Sequence, residues 1–251
     1  MKRLCVWMMA ALIAAAATAA GAAEQTVSYK SGAETVSGFL ATPEGRGPFP
    51  AVVVIHEWWG LDAWVKDQAR ALAREGYVAL AVDLYRGKAT DKQEEAHQLM
   101  SGMPEDRAMR DLKAALAHLM SRKDVRANRI GAIGWCMGGK YALKLATEEP
   151  TLAAAVAYYG APPTDAAAIA RIKAPVLGNF GAEDTGPSPE QVRAFEAAMK
   201  KAGKTVDVKI HPGAGHAFAN PNNPWKGYRE EAAKDSWSRV TAFFARHLKR
   251  G

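Results

Sequence analysis

The residue best suited to covalent chemistry is Cys136, in the sequence Gly134-Trp-Cys-Met-Gly-Gly139. An apolar segment precedes it and a helical pattern follows, so a strand, a sharp turn and a helix are predicted. That context is typical of a nucleophile elbow, with cysteine in place of the usual serine. The flanking glycines relieve crowding in the turn, and the start of the helix favours a thiolate. The alternative is a small buried side chain beside a tight turn.

Two later segments could supply the acid and the base that such a nucleophile needs. Gly181-Ala-Glu-Asp184 follows one predicted strand, and Pro212-Gly-Ala-Gly-His216 follows the next. Cys136, Asp184 and His216 therefore occur in the order nucleophile, acid, base. In this arrangement His216 accepts the thiol proton, while Asp184 fixes the imidazole tautomer and stabilises its cation.

Both the acid and the base have a competitor nearby. Glu183 is the alternative acid, and His211 is the alternative base. A structural role is favoured for His211 because it falls at the end of a predicted strand, before the turn. His216 is instead carried by a loop with glycines on its approach.

A second cluster, His56-Glu-Trp-Trp-Gly60, follows another apolar segment. It is not the zinc motif H-E-x-x-H, because position 60 is glycine, and no metal site is predicted. In an elbow hydrolase this loop supplies an oxyanion N–H, so the backbone amides of Trp58 and Met137 are the candidates. Glu57 is expected near the thiol because ligands bind at the carboxyl ends of such strands. The alternative for Glu57 is a surface acid beside aromatic residues.

The alternation of strands and helices predicts an α/β fold with a mostly parallel, doubly wound sheet, in one domain over residues 24–251. The predicted strands are Thr26–Tyr29, Thr35–Leu40, Pro50–His56, Tyr77–Val82, Arg129–Ile133, Ala153–Tyr159, Pro175–Phe180 and Val206–His211. The predicted helices are Asp62–Arg74, Glu94–Met100, Glu105–Met120, Lys140–Ala146, Ala166–Arg171, Pro189–Lys201 and Tyr228–Leu248.

Residues 1–23 have the pattern of a secretory signal peptide. Lys2 and Arg3 precede an apolar run, and small residues follow that suit cleavage near Ala22 or Ala23. The alternative is an uncleaved membrane anchor, for which the segment is marginal in length. We expect an exported protein, periplasmic or secreted, with no stable membrane insertion after cleavage.

The composition is that of a globular protein, with 49% hydrophobic and 24% charged residues. The formal net charge is +7, and removal of Lys2 and Arg3 with the leader lowers it by two. Basic residues are interspersed with acidic ones, which argues against a nucleic-acid partner. Cleavage would also remove Cys5, so Cys136 would have no intramolecular disulfide partner.

Jointly these motifs resemble those of the dienelactone hydrolase family of α/β-hydrolases, over nearly all of the chain from about Thr26. The segments that carry the resemblance are Val54-Ile-His-Glu-Trp-Trp-Gly60, Ala81-Val-Asp-Leu-Tyr85, Gly134-Trp-Cys-Met-Gly-Gly139, Gly181-Ala-Glu-Asp184 and Gly215-His-Ala-Phe218. The resemblance implies a single α/β-hydrolase domain in which the matching cysteine, histidine and aspartate open a cyclic enol-lactone. It also implies that Glu57 activates the thiol, that the two backbone amides bind the oxyanion, and that no cofactor is needed.

Two positions depart from the family pattern. Dienelactone hydrolases of chloroaromatic degradation carry an arginine four residues after the histidine, where it binds the substrate carboxylate, and this chain has Asn220 there. A second family arginine follows Asp-Leu-Tyr, and here Arg86 stands one position early. Arg86, Asn220 and Trp59 are the candidate substrate contacts. The leader is a further departure, because those enzymes act in the cytoplasm.

The sequence therefore predicts an exported cysteine hydrolase of small-molecule carboxylic esters or lactones, acting through a thioester as a monomer or small homo-oligomer. One alternative is an esterase for another acyl or aryl ester. The others are a non-catalytic binding protein on the same scaffold and a redox-sensing thiol. Neither of these last two roles requires Asp184 or His216.

The first prediction concerns the mature N-terminus. Protein recovered from the periplasm or the medium is expected to begin near Ala23 or Glu24, because signal peptidase cleaves after small residues. Intact-mass measurement checks this. Recovery of the chain from membranes with residues 1–22 still attached would contradict it.

Overall fold

The computed structural model describes residues 23–249, in which eight strands form one sheet. The strands are β1 (Ala23–Ser31), β2 (Glu34–Thr42), β3 (Phe49–Ile55), β4 (Val78–Val82), β5 (Val125–Trp135), β6 (Ala154–Tyr158), β7 (Val176–Gly181) and β8 (Val206–His211). Their order across the sheet is β1-β2-β4-β3-β5-β6-β7-β8. Strands β3 to β8 run parallel, whereas β2 pairs antiparallel with β1 and β4. The predicted α/β fold class is confirmed.

Seven α-helices flank this sheet in the described part of the chain. They are α1 (Ala63–Arg74), α2 (Gln93–Ser101), α3 (Glu105–Ser121), α4 (Met137–Glu148), α5 (Ala166–Arg171), α6 (Pro189–Lys201) and α7 (Glu230–Phe244), and a short π-helix, Ala245–Lys249, continues α7. The apolar faces of α1 and α7 pack on one side of the sheet, and those of α2 to α6 pack on the other. The sheet is therefore buried on both faces.

Local sequence explains where these elements begin and end. The central strands are apolar without alternation because both of their faces are covered, and every side chain of β4 and β6 is buried. At the start of α1 the Asp62 carboxylate accepts the N–H of Val65 at 2.9 Å, a typical N-cap. Ser188 and Gln191 form a capping box at α6, next to Pro189 in its first turn.

Parallel pairing places the carboxyl ends of β3 to β8 at one edge of the sheet, where ligands bind in such folds. Ile55 at the end of β3 pairs with Gly134 of β5. On the other side, Trp135 pairs with Tyr158 of β6. This register brings the loop after β3, the turn after β5 and the end of β6 together.

The predicted signal peptide lies outside the described residues, except for Ala23, which begins β1. Across residues 23–249, no helix combines the length and apolar character that crossing a membrane requires.

Candidate active site

Cys136 lies in the turn between β5 and α4, with φ 53° and ψ −119°. Residues other than glycine rarely adopt positive φ, and they do so mainly where the surrounding structure enforces it. A β-carbon on Gly134 would overlap the carbonyl of Gly138, and one on Gly138 would overlap the carbonyl of Ile55. The turn therefore depends on both glycines, and it places the thiol at the N-terminus of α4.

His216 and Asp184 are brought together from the loops after β8 and β7. Nδ1 of His216 lies 2.8 Å from Oδ2 of the buried Asp184. The other carboxylate oxygen of Asp184 accepts the N–H of Gly186 at 2.9 Å. Because a carboxylate accepts the Nδ1 proton, Nε2 is left to exchange protons with a neighbouring group. The competing acid, Glu183, is exposed.

The charge of His216 follows from its neighbours. Burial lowers the pKa of His216, but the Asp184 hydrogen bond and the adjacent Cys136 outweigh that effect and raise it to about 10. The imidazole therefore carries its proton at neutral pH. A cationic ring beside a sulfur atom stabilises the thiolate, which is the nucleophilic form of cysteine.

His211, the competing base, occupies a different environment. Its ring packs against Phe218, and its Nε2 lies 3.3 Å from Oδ1 of Asn179. Burial lowers the pKa of His211 to about 4, so the ring is neutral at pH 7. These contacts fit the structural role favoured for it from the sequence.

Glu57 is buried at the carboxyl edge, as the sequence-based interpretation requires, and is not a surface acid. Its Oε2 accepts a hydrogen bond of 2.8 Å from Nδ2 of Asn220. Its Oε1 has no hydrogen-bond partner within residues 23–249. Burial raises the pKa of Glu57 to about 7, against the opposing effect of the Asn220 hydrogen bond. The carboxyl group can therefore gain or lose a proton near neutral pH.

The two candidate oxyanion donors come from the loops beside the thiol. Met137 is the first residue of α4, so its N–H has no acceptor inside the helix. The N–H of Trp58 has no backbone acceptor within residues 23–249. His56 steadies this loop, since its Nε2 accepts the N–H of Leu84 at 3.2 Å and its Nδ1 faces the Glu57 carbonyl. Both amides are available to a ligand oxygen.

Cys136 and His216 open onto one pocket of about 410 Å³. Its walls include Met103, Met137, Tyr141 and Tyr159, so they are largely apolar and aromatic. Lys140 also lines the pocket, and its Nζ lies 2.8 Å from a carboxylate oxygen of Glu105. No group of three or more histidine, cysteine or acidic residues in the described chain is arranged to hold a metal ion.

The structure does not bring the three predicted substrate contacts to this pocket. Arg86 is held by two carboxylates, with nitrogens 2.7 Å from Glu34 and 2.7 Å from the buried Asp111. The Asn220 amide is used by Glu57. Trp59 is buried against other tryptophans. None of the three lines this pocket, and their assignment to substrate binding stays a prediction.

The Dienelactone hydrolase family matches residues 36–248 of the chain. This chain belongs to the dienelactone hydrolase family. A protein of Methylorubrum extorquens, provisionally named carboxymethylenebutenolidase, is 34% identical over 226 residues, covering 84% of this chain and 77% of that protein. A relative with the same provisional name from Saccharolobus solfataricus is 34% identical and covers 90% of this chain and 100% of its own length. The chain is a hydrolase of the dienelactone hydrolase type.

Solved structures of the family share this fold. A provisionally assigned dienelactone hydrolase of Klebsiella pneumoniae superposes with a TM-score of 0.82 at 31% identity, covering 90% of this chain and 99% of its own. A dienelactone hydrolase-like promiscuous phosphotriesterase from metagenomic libraries superposes with a TM-score of 0.83 at 29% identity, covering 91% and 100%.

In this dienelactone hydrolase family member, two aromatic residues lie at the site that the sequence did not predict there. Tyr159 follows β6, and its ring centroid lies 5.1 Å from that of His216. Trp225 lies in the loop after β8, and its ring centroid lies 6.1 Å from that of His216. The sequence could have indicated Tyr159 as a site residue, because it stands at the carboxyl end of a predicted strand, where ligands bind in such folds. No sequence pattern indicated Trp225, because its position depends on the conformation of the loop after β8.

Replacing Glu57 by glutamine is expected to alter stability and turnover differently. The folded state holds the Glu57 proton up to about pH 7, whereas the unfolded chain releases it near 4.5. Ionisation of Glu57 therefore lowers the free energy of unfolding of the wild type by about 2–3 kcal/mol as the pH rises from 5 to 8. Glu57→Gln has no carboxyl group to ionise there and should not show this loss. Turnover is expected to fall, because glutamine cannot accept a proton.

Denaturant unfolding of both proteins at pH 5 and pH 8, with steady-state kinetics, checks this. Glutamine can still accept the Asn220 hydrogen bond, so the fold is kept. If the unfolding free energies of the two proteins changed equally between pH 5 and pH 8 and their kinetics were the same, Glu57 would not be a buried carboxyl group that titrates near pH 7.

Proposed function

We propose that this chain is an exported cysteine hydrolase of carboxylic esters and lactones. Cys136 would be the nucleophile, His216 the acid and base, and Asp184 the partner of the imidazole. The observation that carries the proposal is the 2.8 Å contact between His216 and Asp184, on a ring that opens onto the same pocket as the elbow cysteine. A binding protein would need neither the strained turn nor this contact.

In the first half of the reaction the Cys136 thiolate attacks the carbonyl carbon and forms a tetrahedral intermediate. The N–H groups of Trp58 and Met137 donate to the developing oxyanion. The intermediate collapses as the carbon–oxygen bond breaks, and the leaving alkoxide takes the proton from Nε2 of His216. A thioester on Cys136 remains. With a lactone, the released hydroxyl stays attached to the acyl chain.

In the second half, His216 is neutral and accepts a proton from water. The hydroxide adds to the thioester carbonyl, and the same two amides stabilise the second oxyanion. Expulsion of the thiolate releases the carboxylic acid and restores the imidazolium–thiolate pair. Asp184 stabilises the cation formed in each half and keeps Nε2 directed at the reacting atoms.

Glu57 would activate the Cys136 thiol. Its carboxyl group is buried in the loop after β3, at the same edge of the sheet as Cys136, and its pKa near 7 suits proton transfer at neutral pH. Tyr159 lies beside both groups, and burial raises the pKa of its hydroxyl well above 10, so it stays protonated. Asn220 holds the Glu57 carboxyl in place.

The pocket favours a substrate without a carboxylate. Arg86 is engaged by two acids, and Asn220 offers no charge. Lys140 stands against Glu105, which offsets its charge. In a partly dry site a carboxylate without a cation would be left unpaired, at a cost of about 2–5 kcal/mol. We therefore propose neutral lactones or esters as the preferred substrates.

An esterase acting on another acyl or aryl ester would use the same residues, and a substrate screen separates it from a lactonase. A binding protein or a redox-sensing thiol would not acylate. Labelling by an activated-ester probe that is lost in Cys136→Ala separates the hydrolase from both. Export is proposed on the leader-like pattern of residues 1–23.

Substitution of the proposed triad should abolish turnover while the fold is kept. Cys136→Ala is expected to remove nearly all hydrolysis of p-nitrophenyl acetate, with a melting temperature close to that of wild type. His216→Ala should cost on the order of 10³-fold or more in rate, because only the oxyanion site and substrate binding remain. His97→Ala, which alters an exposed histidine on α2, is the matched control. Parental rates in either triad variant would refute the assignment.

Substrate charge is tested by comparing kcat/KM for trans-dienelactone with that for an uncharged lactone of similar size. The uncharged lactone is expected to be preferred, since an unpaired carboxylate loses the binding energy of an arginine clamp. Arg86→Ala should leave both values unchanged. A wild-type preference for dienelactone that disappears in Arg86→Ala or Lys140→Gln would identify a compensating cation and contradict the expectation.

A further inference from the structure

Trp225 stands beside the proposed base but has no role in the steps above. Its side chain is 44% exposed, and within residues 23–249 Met120 is the other exposed large hydrophobic residue. Its ring centroid lies 6.1 Å from that of His216 and 5.4 Å from that of Trp58. An exposed aromatic face is thus placed next to both the acid–base residue and an oxyanion loop.

Hydrogen bonds fix the position of this exposed ring. The backbone N–H of Trp225 donates to Oδ1 of the buried Asn223 at 2.9 Å. Its indole Nε1 lies 3.4 Å from Oε1 of Gln93, at the start of α2. A second tryptophan, Trp59, packs edge-on against it at 5.9 Å. The ring is thus contacted by Gln93 and by two neighbouring tryptophans, while part of the residue stays open to solvent.

The chemistry of ester cleavage places the leaving group beside His216, the residue that Trp225 neighbours. The leaving oxygen must lie within about 3 Å of Nε2 of His216 to receive its proton. The alcohol half of the substrate therefore lies beside the His216 ring. Tyr159 is buried on one flank of that ring, and Trp225 is the aromatic neighbour that reaches solvent.

We propose that Trp225, supported by Trp58, is the platform on which the leaving-group half of the substrate stacks. A flat aromatic surface favours planar, conjugated alcohols, such as those of aryl and enol esters, over saturated ones. Gln93 is a positioning residue that holds the indole in its stacking orientation. This inference rests on the proposed hydrolase function and adds a residue that determines specificity.

The test compares phenyl acetate with cyclohexyl acetate, which share the acyl group and have leaving groups of similar size. The variants are Trp225→Phe, Trp225→Leu and Trp225→Ala. Each ester has the same intrinsic reactivity with every variant, so a change in the ratio of kcat/KM values reports the contact with the leaving group. Met120→Ala, at the other exposed hydrophobic residue, is the matched control.

Trp225→Ala and Trp225→Leu are expected to lower kcat/KM for phenyl acetate about five- to tenfold, the effect of one lost aromatic contact. Cyclohexyl acetate should change less than about twofold, and Trp225→Phe should keep most of the preference. Gln93→Ala should raise KM for phenyl acetate with little change in kcat. A ratio that is the same in wild type, Trp225→Leu and Trp225→Ala would overturn the platform.

A binding measurement separates this inference from the proposed function. In the Cys136→Ala background, 2-naphthol is expected to quench tryptophan emission, and the quenching should weaken in the double variant with Trp225→Leu. Equal affinity in the two proteins would overturn the platform. If wild type hydrolyses neither ester while this binding difference is present, the hydrolase assignment fails and the aromatic site stands.

Discussion

The close approach of the Cys136 turn to its neighbouring strands sets the geometry of the whole site. The Cys136 N–H donates to the carbonyl of Tyr158 at 3.0 Å, so the turn is bonded to the end of β6. On the other side, Gly138 lies against the carbonyl of Ile55 with no room for a β-carbon. The loops after β3 and β6 are therefore held beside the thiol. An added methyl group at Gly138 would separate the Cys136 turn from the Glu57 loop.

Burial acts on His216 and Glu57 in different ways. Burial lowers the pKa of His216, but its contacts with Asp184 and Cys136 outweigh that and raise it to about 10. The pKa of Glu57 is raised to about 7 by burial itself, because Asn220 offers the carboxylate a neutral donor rather than a cation. The asparagine at position 220 thus bears on the proton affinity of Glu57. An arginine there would stabilise the ionised form of Glu57.

Local patterns in the sequence were enough to predict the fold class and the order of elements. Apolar runs marked the buried strands, and helical spacing and caps marked the helices, so α5 and α6 match their predicted bounds. The structure places the Asp184 carboxylate against His216 and leaves Glu183 exposed. Spacing could not place Arg86, whose partners Glu34 and Asp111 come from β2 and α3. Nor could it reveal the Asn220–Glu57 contact, which spans 163 positions.

The loop that follows β8 carries the His216 ring, the Asn220 amide and the Trp225 ring within ten consecutive positions. Asn220 reaches from this loop to Glu57 in the loop after β3, across the intervening strands β5, β6 and β7. A change in this segment at position 220 therefore also changes the environment of Glu57. A transplanted loop that brought a new binding surface would also bring a new partner for Glu57. Natural or laboratory evolution of substrate range in this scaffold should accordingly proceed by paired changes in the two loops.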